Sequence, residues 1–299
     1  MKLPAVDHVA VTCADEAVSR LAEAGGAGAV LAGGQSLLLE MRYGRARPGV
    51  LVDVNRAADL FGTSHGDGEL RLRALTRHVV LERGVVADPL GRLLARAAAF
   101  VAHPPIRARG TFAGSLAWAH PASEWCALSR ALDARITVRG PAGERQVSAA
   151  AWFRGPHVTS RAPDELVTEV ALPLLGAGTG VGFAEHRRTS ASFAMAAVGC
   201  AVRMADGRVT GARIGLANAA DVPLRAEQAE TLLLGTDGSA AAVAAAAEAA
   251  AAGADPVGEP HCSAQYRRHA LGVLVQRALT EAFADADRTA PLGQEPAWM

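Results

Sequence analysis

Apolar and polar positions change period several times along the chain. Residues after Asp15 read as a short helix through Ala24, capped by Asp15 and stopped at Gly25-Gly26. Ala29-Val30-Leu31 is a short buried strand, Gly33-Gly34 breaks it, and Ser36 to Met41 turns helical. Val50 to Asn55 alternates as a strand, and Leu70 to Leu75 reads as another. Asp88 to Phe100 is an amphipathic helix, ended before His103-Pro104-Pro105. A second glycine segment, Arg109 to Ser115, precedes a helix from about Pro121 to Leu132. Ile136 to Val147 is a hairpin turning at Gly140-Pro141-Ala142-Gly143, and Leu166 to Pro173 is a strand ended by proline.

The composition then shifts at Gly176-Ala177-Gly178-Thr179-Gly180, which reads as a linker. Beyond it, Phe193–Met204 and Arg208–Ala217 form a hairpin around Asp206-Gly207. Two helices follow, Ala226–Leu234 and Ser239–Ala252, closed by Gly235 and Gly253. A last helix starts at Ser263, with Leu271, Leu274, Val275, Ala278, Leu279, Ala282 and Phe283 at helical spacing. The pattern predicts an α+β architecture: a mixed region with two glycine loops, then a sheet backed by helices.

A length of 299 residues suffices for two or three cores. Thirty basic residues balance thirty acidic ones, so net charge makes no case for nucleic acid or an anionic membrane. No apolar run is long enough to span a bilayer, and Met1-Lys2-Leu3-Pro4 lacks signal-peptide character, so a cytoplasmic protein is expected. Cys13, Cys126, Cys200 and Cys262 are far apart, without metal or iron–sulfur spacing, and read as reduced, mostly buried thiols. No metal site is expected, and any one-electron centre belongs on a partner chain.

Ala32-Gly33-Gly34-Gln35-Ser36, with Leu37 after it, is the first candidate site. Glycines allow close backbone approach, and successive N–H groups at a loop suit a phosphate. Gly-Gly after a strand is also an ordinary turn. Thr111, Ala113, Gly114 and Ser115 form the second loop, with two hydroxyls around a small-residue step. Neither loop matches G-x-G-x-x-G or a P-loop. Trp118, His120, Glu124 and Trp125 follow closely, and could serve a ligand or the core. Hydrolase motifs are missing. Adjacent Asp164-Glu165 does not suggest converging carboxylates. Arg187-Arg188 reads as solvated or ion-paired, and Arg267-Arg268 as the polar side of the last helix.

AGGQSLLLEMRYGRARPGVLVDVNR (32–56), IRARGTFAGSLAWAHPASE (106–124), DELVTEVALP (164–173), GFAEHRRTSASFAMAAVGCAV (182–202) and YRRHALGVLVQRAL (266–279) occur in that order. Together they resemble the medium, FAD-binding subunit of the molybdenum hydroxylases, which include carbon monoxide dehydrogenase and xanthine dehydrogenase. The resemblance implies an FAD-binding domain of the vanillyl-alcohol oxidase (PCMH) type over 1–175, with subdomains of about 1–56 and 57–175. It further implies a C-terminal domain over 180–286, an antiparallel sheet backed by helices, and a tail at 287–299. By the same resemblance residues 32–36 contact the FAD pyrophosphate, and Thr111, Gly114 and Ser115 line the second flavin loop. Glu124 lies near the ribityl or ribose part, and Leu166 touches the isoalloxazine ring. Electrons come from iron–sulfur clusters on a 2Fe–2S small subunit, fed by a molybdopterin large subunit, and go to NAD, oxygen or another acceptor.

Some residues depart from that family's pattern. Ala113 replaces the first glycine of G-G-S, Trp118 and His120 replace small polar or acidic residues, and Ala191-Ser192 replaces Gly-Asp before Phe193. Two alternatives therefore stand beside the subunit reading. One is a stand-alone flavoenzyme of specialised metabolism with His120 as acid or base. The other is a scaffold that has lost FAD.

Overall fold

Strand β1 (Asp7–Ala10), helix α1 (Ala14–Glu23), strand β2 (Gly28–Leu31), helix α2 (Leu37–Arg42) and strand β3 (Val50–Asp53) build the first layer. The computed structural model describes residues 5–289. These strands form a parallel sheet in the order β1-β3-β2. Val11, Ala14, Ala17, Val18 and Leu21 of the α1 region are buried against Val52 and Val54. Asp15 is not the cap of α1, contrary to the sequence pattern. Cys13 holds the N-cap position, and the free N–H of Ala14 donates to the Asp59 carboxylate at 3.0 and 3.2 Å. A carboxylate 45 residues away thus satisfies a helix end that a local reading gives to its neighbour.

Next come β4 (Thr63–Gly66), β5 (Glu69–Arg73), α3 (His78–Glu82), α4 (Pro89–Phe100), α5 (Pro104–Arg107), α6 (Phe112–Trp118) and α7 (Glu124–Ala131). They are followed by β6 (Arg135–Gly140), β7 (Gly143–Ser148), α8 (Ala149–Trp152), the short pair β8 (Phe153–Gly155) and β9 (Val158–Thr159), and β10 (Leu166–Pro173). The second sheet is antiparallel, in the order β4-β5-β10-β6-β7. Strand β10 is its centre and is buried on both faces until Pro173, so its apolar run does not alternate. Asp88 caps α4, accepting from Leu90 N–H at 2.8 Å, with Pro89 pre-set in the first turn. Its carboxylate also accepts from the N–H groups of Leu175 and Gly176, both at 3.0 Å, and so pins the chain where it leaves β10.

The expected linker is shorter than its composition suggests. Gly176 and Gly178 turn the chain with positive φ, but Thr179 already begins a strand. That strand, β11 (Thr179–His186), joins β12 (Ala196–Ala205), β13 (Arg208–Ala217) and β14 (Leu224–Arg225) in an antiparallel sheet ordered β11-β12-β13-β14. Phe193 lies outside β12 and is exposed. Helices α9 (Glu227–Leu233), α10 (Ala240–Ala252) and α11 (Ala264–Thr289) close a separate core, with Leu271, Leu274, Val275, Leu279 and Ala282 buried against Val198, Ile214 and Leu216. Residues 287–289 of the expected tail belong to α11, and 290–299 lie outside the described residues. Arg267, contrary to the sequence pattern, is 1% exposed and not on a polar face. Its guanidinium donates to the carbonyls of Met195, at 2.8 Å, and Val257.

This third sheet packs directly on the first region. Arg92 and Arg96 of α4 donate to Asp285 of α11 at 2.9 and 2.6 Å, and burial of that carboxylate at 3% exposure makes the contact a fixed strut. Asn218 N–H donates to the Pro121 carbonyl at 2.7 Å. These contacts set the segment 119–124 against the third sheet. Among the described residues no helix is long and apolar enough to cross a membrane.

Candidate functional site

Two loops meet where the first sheet abuts the second. The first runs from the end of β2 to the start of α2. Gly34 holds φ +71, a left-handed conformation that turns the chain back toward α2. The N–H groups of Gly33, Gly34, Gln35 and Ser36 meet no acceptor among the described residues. The Gln35 side chain donates to the Gly33 carbonyl at 3.1 Å, leaving the nest of N–H groups open.

The second loop is not a simple bend. It is the N-terminus of α6: Thr111 caps that helix and its hydroxyl accepts from Gly114 N–H at 3.0 Å. The loops touch one another. A Cβ on Gly33 would lie 2.5 Å from the Arg109 carbonyl oxygen and 2.7 Å from Gly110 Cα. Glycine at 33 is therefore needed for loop-to-loop contact. A strap of side chains holds the junction. Asn55 donates to the carbonyls of Leu31 and Ala32 at 3.2 and 2.9 Å. Arg77 donates to Asn55 Oδ1 at 2.6 Å and to the Arg109 carbonyl.

The junction opens into a cleft of about 270 Å³. Of the residues expected from sequence, Ala32, Gly33, Gly34, Gln35, Ser36, Leu37, Thr111, Ala113, Gly114, Ser115, Trp118 and Leu166 all line it. His120 and Glu124 do not. The cleft adds residues that the sequence pattern does not single out: Val54, Ala74, His78, Arg161, Glu165 and Val167. Glu165 is the member of the Asp164-Glu165 pair that reaches the site. Arg145 binds it bidentately at 2.6 and 2.7 Å and holds its carboxyl below the usual range.

His78 is 4% exposed and neutral, because burial and the neighbouring Arg77 and Arg107 push its pKa down to about 3. Its Nδ1 accepts from the Trp125 indole N–H at 3.1 Å, which gives that indole a core role. Cys126 and Cys200 are buried thiols, pushed up to about 12 by burial, and so are inert.

His120 stands beside the cleft in a cluster of rings. It stacks parallel on Phe193 at 4.0 Å, and His157 lies 5.1 Å from it and 4.5 Å from Trp118. Its Nδ1 accepts from Ala122 N–H at 3.1 Å, and burial pushes it down to about 4, so the ring is neutral near pH 7. Glu124 is buried with Glu185 facing it; burial raises both carboxyls, and the neighbouring Glu124 raises Glu185 further. Neither Glu185 oxygen has a hydrogen-bond partner among the described residues, so burial of that carboxyl favours its protonated form. Arg187 donates to the Phe100 carbonyl at 2.8 Å and lies over the Phe100 ring, and is anchored rather than solvated. No group of three or more His, Cys, Asp or Glu side chains among the described residues could hold a metal ion.

These residues fit a dinucleotide diphosphate. Open N–H groups, three hydroxyls and a wall of small residues supply donors and room, and the Arg77 strap supplies positive charge.

Comparison with known proteins agrees. Residues 5–175 match the family described as the FAD binding domain in molybdopterin dehydrogenase, and residues 182–282 match the carbon monoxide dehydrogenase flavoprotein C-terminal domain. The chain is 36% identical over 290 residues to the alpha subunit of the 6-hydroxypseudooxynicotine dehydrogenase complex of Paenarthrobacter nicotinovorans, covering 97% of this chain and 98% of that one. It is 34% identical to the carbon monoxide dehydrogenase medium chain of Hydrogenophaga pseudoflava, covering 94% and 98%. The solved carbon monoxide dehydrogenase of Hydrogenophaga pseudoflava, in a form lacking the Mo-pyranopterin moiety, superposes with a TM-score of 0.92 at 35% identity, over 95% of this chain and 99% of that one.

Proposed function

The chain belongs to the FAD-binding, medium subunits of the molybdopterin-dependent dehydrogenases, and from that membership we propose that it carries electrons between a 2Fe–2S small subunit and a terminal acceptor. The clusters are fed by a molybdopterin large subunit, and the acceptor is NAD, oxygen or another oxidant. The protein is an FAD-dependent oxidoreductase subunit. FAD supplies the ability to exchange electrons singly with a cluster and in pairs with an acceptor.

Within this chain we assign the diphosphate to the open N–H groups of Gly33 to Ser36 and to the Thr111–Ser115 loop. Small side chains, Ala32 and Ala113, let the backbone approach it. Leu166 and Trp118 on the cleft wall flank the ring end and shield it from water. The unit that holds FAD is assigned to residues 1–175 and the helix-backed sheet to 180–286, in a cytoplasmic complex. The observation that carries the reading is the meeting of the two loops with four N–H groups unmet at their junction. No observation favours direct action on a small molecule, since His120 is off the cleft wall and its Nδ1 is engaged.

The test is purification from the native source. A yellow complex containing iron–sulfur and molybdopterin chains is expected, with flavin reduction dependent on both. Flavin that is reduced by substrate in the absence of both chains would overturn the assignment.

A further inference from the structure

His78 lies at the start of α3, within the second region, yet its ring reaches the wall of the cleft. Its surroundings decide which nitrogen carries the proton. The Trp125 indole can only donate, and it donates to Nδ1. A proton on Nδ1 would set two donors against each other, so the proton sits on Nε2. The backbone N–H of His78 is held as well, donating to the Gly110 carbonyl at 3.1 Å. The ring therefore has a fixed place and a fixed tautomer.

No hydrogen bond from its Nε2–H is made among the described residues, and this largely buried ring lines the cleft. The site is built around it: a Cβ on Gly110 would sit 2.6 Å from Nε2, so glycine at 110 keeps that face of the ring clear. Gly110 is also the residue that Gly33 presses against. The donor thus lies under the junction of the two loops, and burial, with Arg77 and Arg107 nearby, keeps the ring neutral.

We propose that His78 is a cofactor-positioning residue whose Nε2–H donates to an oxygen of the FAD diphosphate, with Trp125 locking the tautomer that makes this possible. The inference rests on the assignment of FAD to this cleft. A neutral donor at this point adds direction without adding charge beside the two arginines, and it fixes the depth at which the diphosphate sits.

Two variants separate the donor from the rest of the ring. In His78→Asn the side-chain oxygen can still accept from Trp125, but nothing replaces Nε2–H. In His78→Gln the amide nitrogen falls near Nε2 and keeps a donor there. We expect FAD to bind the flavin-stripped complex about 10- to 100-fold more weakly in His78→Asn, and within about fivefold of wild type in His78→Gln. The phosphorus-31 resonances of bound FAD should move in His78→Asn. In wild-type protein with nitrogen-15 histidine, the His78 Nε2–H proton should be seen without cofactor and should shift downfield on FAD addition.

Equal affinity of His78→Asn and wild type overturns the proposal, as does an Nε2–H signal that FAD leaves unmoved or unmoved phosphorus resonances. Failure of wild-type protein itself to take up FAD would instead overturn the assignment of the cleft.

Discussion

Replacing Gly33 by alanine tests the meeting of the two loops directly. The added Cβ would lie 2.5 Å from the Arg109 carbonyl oxygen, while ordinary contact begins at 3.4 Å. The obstacle is backbone, so no rotamer relieves it, and the loops must part by about 0.9 Å, the difference between those two distances. A hydrogen bond of about 2.9 Å lengthened by that amount passes the limit of a useful contact. Donor bonds to a charged oxygen are worth about 1.5–3 kcal/mol each. Losing one of them predicts about 1.5–3 kcal/mol, or roughly 13- to 160-fold weaker FAD binding. The apo chain should lose about 1–3 kcal/mol through overpacking. Gly34→Ala is the control. Its φ of +71 makes alanine strained by about 1–2 kcal/mol, but the neighbours are the ends of the Leu31 and Leu38 side chains, which can move. The measurement is FAD titration into the flavin-stripped complex, with thermal unfolding of each variant beside it. Binding by Gly33→Ala within threefold of wild type, or weaker binding by Gly34→Ala than by Gly33→Ala, would refute the loop-contact argument.

The buried Glu124–Glu185 pair predicts a pH dependence. Both folded-state carboxyls are raised, to about 7 and about 9, above the ordinary carboxylate range they have when unfolded. The folded protein therefore binds more protons over that window, and stability should be fullest below about pH 5 and decline as pH rises toward 9. Glu185→Gln should flatten that decline by a few kcal/mol, read as denaturant midpoints at pH 6 and 9; parallel curves for both proteins would sink the idea. Ala191 holds φ +62, a left-handed conformation that an alanine adopts with strain. Ala191→Gly should raise stability by about 0.5–1 kcal/mol, measured by thermal unfolding, and a lowered midpoint would count against the strain.

Much of the fold is legible in local pattern because its signals are local. The strand, glycine turn and helix start around Gly33-Gly34 need nothing from elsewhere, and Asp88 with Pro89 marks the start of α4 by itself. The parts that escape are those settled at a distance. Asp59 satisfies α1 from 45 residues away. Strand β11 begins inside a run of glycine, and only its pairing with β12 over eight positions makes it a strand. His78 carries no local mark. Its place on the cleft wall comes from Trp125, 47 residues further on, and from Gly110. Glu165 is legible only as one of two adjacent carboxylates, and its partner Arg145 lies 20 residues back on β7.

The two ends of the site depend on sequence in different ways. The diphosphate end is built from backbone N–H groups, positive φ and close approach. Its requirements are steric, so they fix glycine at 33 and 34, while at 113, on the cleft wall and 4% exposed, the site accommodates a methyl group. The opposite end is built from side chains that rest on one another. Trp118 leans on His157, His157 on His120, and His120 on Phe193, which follows the strained Ala191. Because each ring rests on the next, changes at Trp118, His157, His120 and Phe193 are expected to couple rather than add. It follows that the stability losses of Trp118→Ala and His157→Ala, read by thermal unfolding, should not add in the double variant, while FAD affinity, governed by the steric end, falls less in His157→Ala than in Gly33→Ala.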